Sequence, residues 1–62
     1  MLVLVPQLRG QRLLAALSQA DLAARAGVSP VTVMRGEQGK AIRPSSVRKL
    51  ARALKLRPRD LQ

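Results

Sequence analysis

Apolar positions recur along this chain at two spacings, and the change comes at Pro6. Before it, Met1-Leu2-Val3-Leu4-Val5 is an unbroken apolar run. Its β-branched residues favour extended backbone, and Pro6 holds the residue before it out of the helical region. After it, the pattern predicts a first helix over 7–17, with Leu8, Leu13, Ala15, Ala16 and Leu17 offering apolar faces. Leu22, Ala23 and Ala26 form the stripe of a second helix over 19–26. A third is expected from Ser29 through about residue 38. In a fourth, Val47, Leu50, Ala51 and Leu54 share one face, and Arg48, Lys49, Arg52 and Lys55 lie on the other. A last turn over 58–61 would fold Leu56 and Leu61 back onto the core.

The punctuation between these runs is chemically specific. Ser18-Gln19-Ala20-Asp21 is a capping-box variant: the Ser18 hydroxyl can accept from the Asp21 amide, and the Asp21 carboxylate suits the positive end of the helix. Gly27 can take the left-handed conformation that ends a helix. Two residues later Ser29 is a favoured N-cap, and Pro30 loses nothing at the first helical position. Gly39 is a natural stop. Ser45, following Pro44, is the expected cap of the fourth helix. The fold class is therefore all-α: one compact unit over 7–62, with an extended N-terminal segment over 1–6.

Charge changes the picture most. Twelve Lys and Arg against three acids give a net charge of +9 on 62 residues, which attracts polyanions, nucleic acid first among them. There is no Cys, His or aromatic residue. A disulfide, a thiolate metal site and the usual general base are thereby excluded, and no metal or cofactor is expected. Asp21, Glu37 and Asp60 are too scattered for a paired-carboxylate site, which speaks against an enzyme. Without an aromatic stacking platform, single-stranded nucleic acid is a poor main ligand. No stretch reaches the ~18 apolar residues of a membrane span. The opening run is too short, and lacks a basic flank, for a signal peptide. A cytoplasmic protein is expected. An all-aliphatic core of this size supplies only ~3–5 kcal/mol.

A short helix, a Gly-containing turn and a second capped helix make a helix-turn-helix, which in so basic a chain points to double-stranded DNA. The stretch LSQADLAARAGVSPVTVMRGEQG resembles the core of the lambda-repressor-like (Cro/CI or XRE) helix-turn-helix family, whose usual wording is close to LSQxxLAxxxGVSxxTIxxxExG. Leu17, Ser18, Gln19, Leu22, Ala23, Gly27, Val28, Ser29, Thr32, Val33, Glu37 and Gly39 match. RPSSVRKLARAL, with Leu56 and Leu61, looks like that family's fourth and fifth helices, so the resemblance covers about residues 7 to 61 and implies a compact five-helix lambda-repressor-like domain.

The resemblance implies a duplex interface made by Gln19, Ser29, Pro30, Val31, Thr32, Arg35, Lys40 and Arg43. Gln19 would bond a phosphate and brace the third helix. Pro30, Val31 and Arg35 would face bases, with Thr32 near the backbone. Arg35 can bond guanine O6 and N7 together, and Val31 can touch a thymine methyl. Lys40 and Arg43 would contact phosphates, Arg43 alternatively a minor groove. Arg48, Lys49, Arg52, Lys55 and Arg59 read as a solvated face. Met34 is expected to fold onto a neighbour. Arg12 would pair with Glu37.

One departure stands out. Where the family usually carries Ile or Leu, this chain has Gly36. Either Met34 or the N-terminal run fills the gap, or the end of the third helix is loosened. The N-terminal run is the preferred filler, within one chain or between two. The reading is a dimeric transcriptional regulator, more readily a repressor, of bacterial, phage or plasmid type and bound to an inverted repeat. The alternatives are an antitoxin-like or adaptor module for a protein partner, or a non-specific architectural nucleic-acid binder.

Overall fold

The computed structural model describes residues 1–62. Four α-helices follow one another: α1 (Leu8–Leu14), α2 (Gln19–Ala26), α3 (Pro30–Glu37) and α4 (Pro44–Ala53). The fifth expected helix is a single 3₁₀ turn, Pro58–Asp60. It is held by the Asp60 carboxylate, which accepts the Arg57 N–H at 2.9 Å. Pro58 sets its start and only Leu61 needs to reach the core, so nothing drives further helical turns. α2 packs on α3 and α4, and α4 also receives the 3₁₀ turn.

Ten buried aliphatic side chains form one core, among them Leu8, Leu22, Val33, Leu50 and Leu61 at 0% exposure. The N-terminal run belongs to it. Val3 exchanges both backbone hydrogen bonds with Ile42 (2.7 and 2.8 Å), forming an isolated antiparallel bridge. Val5 is buried, whereas Leu2 and Leu4 face out, following the two-residue period of extended chain.

α1 is shorter than the periodicity predicts and faces inward through Leu8 and Arg12 rather than an apolar stripe. Leu13 and Leu14 are exposed at 56% and 81%, because a charged residue holds the inward place one turn after Leu8. The N-cap of α4 is Arg43, with Pro44 at the first helical position; no side chain caps it, and Ser45 lies inside the helix.

Each of the four helices runs into a left-handed residue. In α1, α3 and α4 that residue is flanked by two reversed backbone bonds, such as Leu17 N–H to Arg12 C=O at 3.2 Å and Ala16 N–H to Leu13 C=O at 3.0 Å, whereas α2 has one, Val28 N–H to Ala23 C=O at 3.0 Å. Glycine occupies two of those positions, Gly27 and Gly39, but Ala16 and Lys55 occupy the others at φ 58°. A Cβ at such a φ costs about 1–2 kcal/mol. Glycine at either position gives part of that back through greater freedom of the unfolded chain. Ala16→Gly and Lys55→Gly are each expected to stabilise the protein by about 0.5–1 kcal/mol. Thermal unfolding should show a rise of a few degrees for each, roughly additive in the double variant.

Candidate nucleic-acid interface

The turn between α2 and α3 is built from local chemistry. The Ser18 hydroxyl accepts from Asp21 N–H at 3.0 Å, and the Asp21 carboxylate accepts from Ser18 N–H at 3.3 Å, closing the box that starts α2. Gly27 ends α2 at φ 72°, and the Ser29 hydroxyl accepts from Val31 N–H at 3.1 Å to start α3. α3 then turns Val33 and Gly36 into the core. Pro30, Val31, Met34 and Arg35 are left exposed, with Thr32 half-buried beside them. Val31 and Arg35, four residues apart, share the outer face. Met34 is 39% exposed and does not fold inward as expected.

Behind this face, Arg12 grips Glu37 with both arms of its guanidinium. Nε donates to one carboxylate oxygen at 2.6 Å and Nη2 to the other at 2.9 Å, while Nη1 donates to the Leu17 carbonyl at 2.9 Å. The Gln19 amide nitrogen adds a donor to Glu37 at 3.1 Å. Both charged side chains are nearly buried, at 10% and 5% exposure. Burial pushes the Glu37 carboxyl pKa up, but the bonds from Arg12 and Gln19 and the charges of Arg12 and Arg9 outweigh it. The net displacement is below the usual carboxylate value. One carboxylate thus ties the end of α3 to α1 and to the start of α2, and it takes up one donor of Gln19.

The three acids are all engaged locally: Asp21 with Ser18, Glu37 with Arg12 and Gln19, Asp60 with Arg57. Arg35, Lys40 and Arg43 have no carboxylate partner. Arg35 and Arg43 come together, although eight residues separate them. They border one concave region of about 580 Å³ with the hydroxyl-bearing Thr32 and Ser46 and the exposed side chain of Leu2. Lys40 lies on the loop before it, just after Gly39. No cluster of His, Cys, Asp or Glu capable of holding a metal is present, and no helix is long and apolar enough to cross a membrane.

Leu2 was not expected on this surface. Its signal in the sequence was the alternation of the opening run, which puts Leu2 and Leu4 opposite Val3 and Val5.

Two capped helices about a glycine turn, with an acid-free basic face beside the second, define a helix-turn-helix domain of the DNA-binding kind. Residues 4–62 match the family described as "Helix-turn-helix domain". The chain belongs to that family, in its Cro/CI-like (XRE) branch. Among solved structures it is similar to the restriction-modification controller protein C.AhdI from Aeromonas hydrophila. The TM-score is 0.85 and the identity 34%, over 92% of this chain and 88% of that one. Comparison with curated proteins gives no match.

Proposed function

We propose that the protein is a sequence-specific transcription regulator that represses by laying α3 in the major groove of an inverted-repeat operator as a homodimer. The observation that carries this reading is the exposed face of α3, where Arg35 and Val31 stand together free of any acid, on a helix braced from behind by Glu37. The likeness to a controller protein supports a regulatory role. Residues 7–62 form the binding domain, and residues 1–6 are an extended edge added to it.

In this reading Arg35 forks onto a guanine, while Val31 and Pro30 give apolar contacts to neighbouring bases. Thr32, Lys40 and Arg43 meet the backbone. The Ser29 hydroxyl, already accepting from Val31, can donate to a phosphate. Gln19 gives one amide hydrogen to Glu37 and offers the other to a phosphate. A single helix of this length discriminates little, so two half-sites about one helical turn apart are required.

Random-duplex selection at about physiological salt tests the proposal. The wild type is expected to enrich an inverted repeat, and Arg35→Ala to lose preference at one guanine per half-site, at about 1–3 kcal/mol. Enrichment of nothing, with bulk DNA still bound, would replace the regulator by a charged scaffold and turn attention to protein partners.

A further inference from the structure

We propose that the N-terminal strand is part of the duplex-contacting surface, with Leu2 packing against a deoxyribose whose phosphate is held by Arg43 beside the base-reading Arg35. The proposal rests on the DNA-binding reading above and extends it to a segment outside the helix-turn-helix.

The placement follows from a missing side chain. A Cβ on Gly36 would lie 3.0 Å from Val5 Cγ2 and 3.1 Å from Leu8 Cδ2, so Val5 occupies the space that a larger residue would fill. With Val5 seated there and Val3 bridged to Ile42, the register of the strand is settled. Leu2, one residue before the bridge, must point the other way. That direction leads to the rim of the concave region shared by Thr32 and Arg35 of α3, Arg43, and Ser46 of α4.

The chemistry of that region matches a sugar-phosphate unit. The Arg43 guanidinium and the Thr32 and Ser46 hydroxyls can each donate to an anionic oxygen, and no acid lines the region to compete, which leaves Arg35 for the base edge. Leu2, 62% exposed with no protein partner to cover it, supplies an apolar wall. A deoxyribose next to a bound phosphate presents such an apolar face. The region is also continuous with the outer face of α3 through Thr32 and Arg35, so a duplex seated on α3 passes over it. Contacts to phosphate and sugar position a duplex without reading its sequence. Leu2 is therefore expected to set affinity and register, not base preference.

The test compares Leu2→Ala and Leu2→Glu with Leu14→Glu. The last carries the same charge change at an exposed leucine on α1. All are measured on the duplex enriched by the wild type, at about physiological salt. Leu2→Glu is expected to weaken binding about tenfold and Leu14→Glu less than twofold, with melting temperatures and sedimentation of the free proteins unchanged. Leu2→Ala is expected to raise hydroxyl-radical cleavage at one sugar per half-site, with the same enriched sequence. Equal losses for the two glutamate variants, an unchanged footprint, or a Leu2 effect that appears as altered oligomeric state would overturn the proposal. Failure of the wild type to bind duplex DNA at all would instead overturn the reading beneath it.

Discussion

Glu37→Ala is expected to leave the protein largely unfolded at room temperature. The substitution strips the partner from a nearly buried Arg12 guanidinium, whose two carboxylate contacts are 2.6 and 2.9 Å long, and leaves Gln19 without its acceptor. Removing one member of such a pair costs about 3–5 kcal/mol, because the other charge remains where water cannot solvate it. An aliphatic core of this size supplies about the same amount. Thermal unfolding followed by circular dichroism should show the transition lowered by more than about 12 °C, or lost. The double variant Arg12→Met/Glu37→Leu is expected to recover most of the loss, since it removes both charges and keeps the volume. A Glu37→Ala transition within a few degrees of the wild type would mean that the pair contributes no more than a surface contact.

The same pair gives the protein a definite acid response. The Glu37 carboxyl is held below its unfolded value in the native state, so folding favours the charged form. Its contribution is fully present above the unfolded carboxylate pKa and is lost as pH falls through the folded one. Wild-type stability should therefore decline on acidification from about pH 5, and the gap between wild type and Glu37→Ala should narrow with it.

What could be read in the sequence was what depends on neighbours along the chain. Ser18 with Asp21, Gly27, Ser29 with Pro30 and Gly39 each do in the structure what their local chemistry requires, because caps and glycine stops are set by a few adjacent atoms. The left-handed Ala16 and Lys55 could not be read that way. Their conformation is imposed by where the next segment must go to bury Leu17 and Leu56, and neither residue announces it. In α1 the apolar letters misled at Leu13, which is outside because Arg12 is needed inside for Glu37. On the candidate interface, the outward side of α3 was legible through the family resemblance at Pro30, Val31 and Arg35. The meeting of Leu2 with Arg35 and Arg43 was not, for it depends on the register of a strand held by one bridge.

Removing residues 1–5 is expected to cost about 2–4 kcal/mol, and placing leucine at position 36 of the shortened chain to restore at least half. The deletion takes away a fully buried valine, worth about 1.5–3 kcal/mol. It also removes both Val3–Ile42 hydrogen bonds and the Leu8 N–H to Val5 C=O bond of 3.0 Å. Beside Gly36 it leaves a void lined by Leu8 and Ile42, and a void adds its own cost. In the intact chain Gly36→Leu works in the opposite sense. Its Cβ alone would press on Val5 and Leu8 at 3.0 and 3.1 Å, and the outer carbons have no room unless the strand is expelled. The gain in helix propensity, about 1 kcal/mol, is too small to offset that. The two changes are thus each destabilising alone and compensating together, a coupling that a four-member thermal-unfolding cycle measures directly. If Gly36→Leu harms the shortened chain as much as the intact one, Val5 is not the residue that stands in for the missing side chain, and the register that carries Leu2 to Arg35 loses its cause.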